Sequence, residues 1–532
     1  MRVYKNEFER LKKIRAFVKQ CFKQFGVNKI QELTRLLYEI SKRENVAVGR
    51  IFYCDETVEK CLRLSTMIDP AVKPQDDKNG VLPQDDKSGI LPQVHDKSFQ
   101  PNYDSLKKYL LARRYPYASL HEKSIQPYLP KIELNISQKF NIKEKEFYPK
   151  NIFIEKGAQG SFLASRIRNL FPRARVLKIE SLKGYVRGKV SPHPNPLPQG
   201  EREKKGEQII PLPLWKRFSP QADSSTAEGE GDKIIGYNNR RDSLFIVNEK
   251  YDFFKRCPCT KLAIGCGYNV FNLGFGCVFD CTYCFLQDYA NFPGIVLPAN
   301  IGSFFDRFSS YSNARMRIGT GEFSDSLALD DITGYAPAII EFFRKHKKAI
   351  FEFKTKSVNV ENLLKTAQAG NIVVSWSLNP QKIIDDNEFF TPSLKQRINA
   401  ACKCVQAGYK VGFHFDPVIY FSGWENEYAK LLDELFNKIK PKYIAWISLG
   451  SFRFRPTLKT VIEKRFPANM ILDEELLPGY DQKLRYPYSL RLGVYKKMLD
   501  MFIKHGAGQK VYLCMEDMLM WKDLKIKMPK FF

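Results

Sequence analysis

No run of about 18 or more apolar residues occurs in this chain of 532 residues, so a membrane-spanning helix is not expected. The stretch MRVYKNEFERLKKIRAF at the N-terminus is charged throughout and lacks the apolar centre of a secretory signal. Both absences point to a reducing, cytoplasmic compartment, where the 12 cysteines serve as thiols or metal ligands rather than disulfides. Acid is also short. Against 85 Lys and Arg stand 58 Asp and Glu, a formal charge of +27. That balance predicts attraction to polyanions, nucleic acid ahead of an anionic membrane, although a basic surface without such a partner carries the same number.

What is present falls into segments. Residues 1–64 place apolar side chains at helical spacing on a basic background and read as a basic helical region. A tandem repeat follows, PQDDKNGVL, PQDDKSGIL and PQVHDKSFQ, too short and polar for a solenoid, so residues 65–103 read as a low-complexity linker. Residues 104–250 read as a small α/β domain, from the strand–helix–strand run IFIE, SFLASRIRNLF and RVLKIE, resumed by SLFIV. A stretch rich in Pro, Gly, Ser and charge, at about 191–233, reads as a disordered insertion into it.

From 251 to 460 the pattern is a regular alternation. VFNLGFG, ARMRIGT, AIFEFKT, IVVSWSL, KVGFHFD and YIAWISLG are each followed by a helical stretch. Serial strand–helix units argue for parallel strands with helical crossovers, in an open doubly wound sheet or a curved partial barrel. Functional groups then belong at the strand C-terminal ends. The polar oddities GTGEFSDS, KTKS, SLNP, HFDP and SFRFRP all fall there, while residues 461–532 form a C-terminal helix/strand extension.

In the loop after the first of these strands, GFGCVFDCTYCFLQDY carries Cys277, Cys281 and Cys284 in a C-x3-C-x2-C arrangement. Three thiols lack the fourth ligand that structural zinc wants. On an iron–sulfur cubane, however, they leave one iron open to a small molecule. Zinc stays possible if Cys257, Cys259 or Cys266 of CPCTKLAIGCG completes the set, and the thiols can also be incidental.

This arrangement, with an aromatic before the last cysteine, resembles the radical S-adenosylmethionine superfamily. From about residue 151 onward, IFIEKGAQGSFLASRIRNLFP, CTYCFLQ, FSDSLALD, SWSLNP, GYKVGFHFDPVIY and VIEKRFP resemble the spore photoproduct lyase family. The resemblance implies a partial (β/α)6 radical-SAM barrel with a small N-terminal α/β unit, to which the basic helical N-terminal region is extra. It also implies a 4Fe-4S cluster on Cys277, Cys281 and Cys284, with S-adenosylmethionine on the fourth iron. Electron delivery to the sulfonium would release a 5′-deoxyadenosyl radical, shielded from water by the barrel. A low-potential donor such as flavodoxin or ferredoxin would supply the electron.

By the same resemblance, Tyr283 packs near the adenine and Glu322 of GTGE accepts hydrogen bonds from the cofactor's amino group. Ser324, Lys356 and Ser377 match cofactor-contacting positions, Lys356 suiting the methionine carboxylate, and Asp416 faces the same mouth. Each serine can equally satisfy nearby backbone. His414, of opposite strand parity to its neighbour Phe415, is expected in the core. One departure stands out. Photoproduct lyases carry a cysteine just before the T-S-D stretch that returns a hydrogen atom to thymine, and here Glu322 takes its place. Cys514 or Cys266 are the thiols left to supply that atom, although a buried apolar thiol is the plainer reading of each.

For nucleic acid, the expected contacts are Arg453 and Arg455 of SFRFRP and Arg485 and Arg491 of DQKLRYPYSLR, guanidiniums interleaved with aromatics. A solvated basic face has the same signature. Three functions follow: radical chemistry on DNA, related to photoproduct repair; the same chemistry on a protein, peptide or small molecule; and a zinc-stabilised nucleic-acid-binding protein without catalysis.

Overall fold

The computed structural model describes residues 7–25, 27–52, 103–114, 147–189, 237–248, 254–260, 262–289, 294–309, 315–466, 469–472 and 474–528. The tandem repeat and the insertion at 191–233 lie outside the described residues. The chain divides into two compact units. One is Met1–Ile136 with Leu472–Tyr480 and Tyr486–Ser489, and the other is Ser137–Ile471 with Asp481–Arg485 and Leu490–Phe532.

The first unit is built on helices α1 (Glu7–Cys21), α2 (Val27–Glu44) and α3 (Tyr103–Arg114). Apolar residues three, four and seven apart put Leu11, Ile14 and Val18 of α1 on one side, and Leu33, Leu36, Leu37 and Ile40 of α2 do the same. Leu106 and Leu110 of α3 complete this core, each such burial stabilising by about 1.5–3 kcal/mol. Residues 104–114, grouped above with the small α/β domain, therefore pack with the N-terminal helices. Among its ion pairs, Arg35 pairs with Glu39 at 2.8 Å, and Arg43 with Glu474.

The second unit carries two main sheets, of four and eight strands. Their strands in chain order are β1 (Asn151–Glu155), β2 (Arg175–Ile179), β3 (Ser243–Val247), β4 (Phe254–Arg256), β5 (Tyr268–Phe271) and β6 (Ile295–Pro298). They continue as β7 (Met316–Gly319), β8 (Ala349–Thr355), β9 (Ile372–Ser377), β10 (Lys410–Val418), β11 (Ile444–Ser451) and β12 (Val511–Leu513). The smaller sheet has the order β2-β1-β3-β6, all parallel. Its helix Phe162–Leu170 starts where Ser161 accepts a hydrogen bond from the Ala164 amide at 3.1 Å.

The larger sheet has eight strands in the order β12-β11-β10-β9-β8-β7-β5-β4. The six expected strands, β5 and β7 to β11, are neighbours in chain order and parallel. Antiparallel β4 and parallel β12, which the sequence pattern does not mark, form the edges. Central β9, IVVSWS, is buried along its whole length, as a strand covered on both faces must be. One contact fixes the curvature. The Arg317 guanidinium of β7 donates to the Tyr512 hydroxyl of β12 at 3.1 Å, although strands five places apart in a flat sheet stand about 24 Å apart. The sheet is curled into a mixed α/β half-barrel.

Inside the curl, Arg317 pairs with Glu352 of β8 at 2.9 Å, and the Trp446 indole N–H donates to the same carboxylate at 3.0 Å. His414 lies in this core as expected, its Nε2 2.7 Å from Glu352 Oε1. Burial pulls the His414 pKa down to about 4, with Lys354 adding to the effect, so the ring is neutral at pH 7. A buried charge pair held on three sides fixes the interior as one arrangement.

Candidate functional site

The three cysteines sit on a loop fastened at both ends. It leaves β5 through Gly274 and Gly276. Gly276 adopts φ +88°, and its amide donates to the Phe323 carbonyl at 2.9 Å. A Cβ on Gly274 would stand 2.6 Å from the Val296 carbonyl oxygen, so glycine is needed where the loop crosses β6. Further on, Cys281 and Asp280 pair antiparallel with Glu388 and Phe389. The Gln287 side-chain amide donates to the carbonyls of Cys281, Thr282 and Cys284 at 2.8–3.1 Å.

Arg240 is the loop's second clamp. Its Nε donates to the Cys277 carbonyl at 2.9 Å and one terminal nitrogen to the Phe279 carbonyl at 2.6 Å. The same guanidinium pairs with Asp280 at 3.2 Å, and Arg465 takes the other Asp280 oxygen at 2.8 Å. Backbone carbonyls are thus turned onto cations, with Cys281 buried and Cys277 and Cys284 half-buried. Burial raises all three thiol pKa values, Cys277 to about 12. Cys284 adds to the rise at Cys277, and both Cys284 and Cys277 add to that at Cys281. Such thiols stay protonated at pH 7 until a metal centre takes the proton's place.

The thiols of Cys257, Cys259, Cys266 and Cys514 belong elsewhere: among thiols, Cys257 is influenced by these companions. The fourth ligand that a zinc reading asks of Cys257, Cys259 or Cys266 is therefore engaged with a different group of sulfurs.

Around the loop, residues that sequence reasoning did not select do much of the positioning. Asp325, beside Ser324, accepts from the amides of Leu327 and Ala328 at 3.0 and 2.9 Å and from the Lys356 amide at 2.7 Å. It also accepts from the Thr355 hydroxyl at 2.5 Å, so one carboxylate ties the loop after β7 to the end of β8. Its charge is the first after burial to raise Cys277. The local signal was available: an Asp two residues before an amide it can cap is an Asx turn. Ser324 lines a small pocket together with Gly276, Cys277 and Asp325.

Tyr283 is half-buried on the same loop. Its hydroxyl donates to Glu388, which also accepts from Asn379 at 2.9 Å and pairs with the fully buried Arg397 at 2.7 Å. Burial pushes the Glu388 pKa up, but Arg397 and Lys356 more than reverse this and leave it at about 2. Lys356 lies 5.6 Å from the Tyr283 ring centre. Burial works against its charge, while Glu388 and Cys281 together raise its pKa. Lys356 is thus a cation at the edge of the thiol trio. Ser377, at the end of β9, gives its carbonyl to Arg397 at 3.0 Å.

Other expected site residues are committed to partners within the unit. Glu322 forms an ion pair with Lys255 of β4 at 2.9 Å, and burial raises its pKa. Asp416 pairs with Arg453 at 2.8 and 3.2 Å, and Arg453 holds its carboxyl below the usual range despite burial. Cys514 accepts a hydrogen bond from Arg453 at 3.6 Å.

The arginines expected at nucleic acid need correction. Arg485 is fully buried on Asp481 at 2.6 Å, and Arg491 is buried on Glu516 at 3.2 Å. Arg453, on Asp416, is nearly as enclosed. Arg455 is the one of the four with half its side chain exposed, at 51%. The reason is carboxylates: Asp416 and Glu516 come from elsewhere in the chain to Arg453 and Arg491, and Asp481 lies four residues before Arg485, which makes these guanidiniums parts of the fold.

No described helix is long and apolar enough to cross a membrane. The family model for spore photoproduct lyase matches residues 236–500. The spore photoproduct lyase of Clostridium acetobutylicum is 28% identical over 206 residues, which are 38% of this chain and 61% of that protein. The one of Bacillus subtilis is 28% identical over 282 residues, 51% of this chain and 78% of that protein. The chain thus spans less than two thirds of the Clostridium relative. Among solved structures, spore photoproduct lyase complexed with dinucleoside spore photoproduct superposes with a TM-score of 0.52 at 22% identity, over 69% of this chain and 99% of that one. A mutant of spore photoproduct lyase with bound AdoMet and the same dinucleoside gives the same TM-score and coverage. The family-model match takes in most of the half-barrel and the segment that holds the thiol trio. The chain belongs to the spore photoproduct lyase-like family of radical S-adenosylmethionine enzymes.

Proposed function

We propose that this chain performs radical S-adenosylmethionine chemistry on DNA, related to the repair of photoproducts, on a partial (β/α)6 barrel. The observation that carries the reading is the trio Cys277, Cys281 and Cys284, together on a loop whose carbonyls are clamped by Arg240 and Gln287. Three such thiols fit a 4Fe-4S cluster and leave a fourth iron for the methionine end of S-adenosylmethionine. When bound, the cluster supplies the single electron that cleaves the cofactor's sulfonium.

The residues around it have defined tasks. Gln287 and Arg240 hold the loop so that the sulfurs converge, and Lys356 offsets negative charge next to Cys281. Ser324 offers a hydroxyl in the pocket beside Cys277, and Lys356 suits the methionine carboxylate. The carboxylates of Asp325 and Glu388 keep Lys356 and Tyr283 in place. Water is kept out by the buried walls of the curl, as a carbon radical requires. The basic surface, with Arg455 at the edge, attracts the polyanion, and a lesion in a duplex would be extruded to reach the site. A low-potential donor such as flavodoxin or ferredoxin supplies the electron.

The test is anaerobic reconstitution and reduction, followed by assay of 5′-deoxyadenosine with and without UV-irradiated DNA. Stimulation by damaged DNA supports the reading, and release that DNA leaves unchanged contradicts it. A second reading has its own observation. Glu322, paired with Lys255, stands where photoproduct lyases carry the hydrogen-returning cysteine. That pair favours the same radical chemistry on a protein, peptide or small molecule.

A further inference from the structure

A second group of thiols lies apart from the trio. Between β4 and β5 the chain runs CPCTKLAIGCG with little regular structure and crosses toward the far edge of the curl. There the Ile264 amide donates to the Glu516 carbonyl at 3.0 Å, and Ala263 bridges to Asp517. The crossing segment thus spans from β4 to the turn after β12, and Leu262 in its middle remains 65% exposed. A few backbone bonds and little apolar burial are weak means of holding such a strap.

Cysteines stand at both of its anchor points. The Cys257 and Cys259 sulfurs are 3.7 Å apart. The charges of Cys266 and of Cys514, just past β12, act on Cys257, and Cys266 acts on Cys514. The antiparallel bridge between Ala263 and Asp517 sets Cys266 and Cys514, each three residues along, on facing segments, and the four half-buried thiols come from three places in the sequence. Their surroundings carry the cations that a thiolate-rich site needs. Arg453 donates to Cys514 at 3.6 Å, Arg453 and Lys483 act on Cys259, and Arg317 acts on Cys266. Asp416, which acts on Cys259 and Cys514, opposes them and is itself paired with Arg453.

We propose that Cys257, Cys259, Cys266 and Cys514 bind one zinc ion that fastens the strap to the end of β12. The pair separation fits a single tetrahedral thiolate-bound ion better than a cubane. Zinc–sulfur bonds of about 2.3 Å in a tetrahedron place neighbouring sulfurs about 3.8 Å apart, which is the Cys257–Cys259 spacing. A cubane puts each cysteine on a different iron and spreads the sulfurs wider. Among the described residues no third thiol lies within 4.8 Å of both Cys257 and Cys259. Binding therefore draws Cys266 and Cys514 in toward the preset pair, closing the strap as it does so. Each thiol gives up its proton to solvent as its sulfur meets the ion.

The experiment needs neither the substrate nor an active radical site. The full chain is purified with zinc present, metals are counted, and zinc-edge X-ray absorption is recorded on the wild-type protein. About one zinc per chain with four sulfur neighbours near 2.3 Å is expected. A variant with Cys277, Cys281 and Cys284 all changed to Ser keeps that zinc while its iron disappears. Cys259→Ser and Cys514→Ser each lower zinc occupancy about tenfold, whereas Cys402→Ser leaves it unchanged. A zinc-free wild-type protein, iron in place of zinc at these thiols, a nitrogen- or oxygen-dominated shell, or a Cys257–Cys259 disulfide found by mass spectrometry would each overturn the proposal. Because iron and zinc are counted separately, failure of this site is distinguishable from failure of the trio.

Discussion

Arg240 Nε donates to the carbonyl of Cys277 at 2.9 Å, from a side chain that is almost wholly buried. A guanidinium from the segment before β3 thereby sets the backbone of Cys277, the first of the three proposed cluster ligands. Arg240→Ala leaves Asp280 one cation short and strands the carbonyls of Tyr237, Cys277 and Phe279. A loss of about 3 kcal/mol is expected, from breaking a buried pair without replacing it. Iron retained after reconstitution should fall with it, and Arg240→Lys, which keeps the charge but not the fork, should recover only part. Urea unfolding with an iron count on each variant checks both effects.

Acid should weaken the half-barrel before it reaches the carboxylates. His414 titrates near 4 in the fold and near 6.5 when unfolded. Between these values the unfolded chain binds the extra proton, so stability rises with pH there and is lost on acidification from 6.5 toward 4. The shift corresponds to about 3 kcal/mol. Denaturant midpoints at pH 7 and pH 4.5 measure it. His414→Gln, which still offers a donor to Glu352, should flatten this limb, while an unchanged slope would remove His414 as its source. Below this window Glu388, with its pKa depressed to about 2, adds a second loss as pH falls from about 4.5.

Two arginines separate fold from binding. Arg485→Ala removes a fully buried partner of Asp481 and should lower thermal stability sharply, with little change in the DNA affinity of the folded fraction. Arg455→Ala, at a half-exposed position, should leave stability alone. Where Arg455 meets a phosphate, its loss lowers the salt slope of DNA binding by about one. Affinity titrations over a salt series, with melting curves, distinguish the two residues.

These corrections show what was legible. The six strands could be read because β-branched and aromatic runs alternate with helical spacing, and both ends of each run are punctuated. The thiol trio could be read because its ligands lie within one short loop. Partners brought from far along the chain could not. Glu388 reaches Tyr283 across 105 residues of sequence, and Arg240 reaches Cys277 across 37. Arg491 was misread for the same reason: an arginine next to aromatics looks alike on a surface or buried on Glu516, and only tertiary contact decides. Arg485 had its partner Asp481 four residues away, but its burial also depends on tertiary packing. β12 is three residues long, too short for its period to announce a strand.

Glu322 offers a direct test of substrate class. Glu322→Cys puts a thiol where photoproduct lyases carry one, and it also leaves Lys255 without its carboxylate. On the DNA reading, repaired thymine per 5′-deoxyadenosine released from UV-irradiated DNA should rise in this variant. Product analysis of both proteins measures the ratio. Equal ratios would mean that the hydrogen comes from another group or that the substrate is not this lesion.

The most direct measurement is electron paramagnetic resonance on the reconstituted, reduced protein, before and after S-adenosylmethionine is added, with iron counted in the same sample. The expected result is about four irons per chain, lost in Cys281→Ala, and a cluster signal that changes shape when the cofactor binds the open iron. A signal indifferent to S-adenosylmethionine, or iron that survives Cys281→Ala, would contradict the assignment of Cys277, Cys281 and Cys284 as the three ligands of an open cluster.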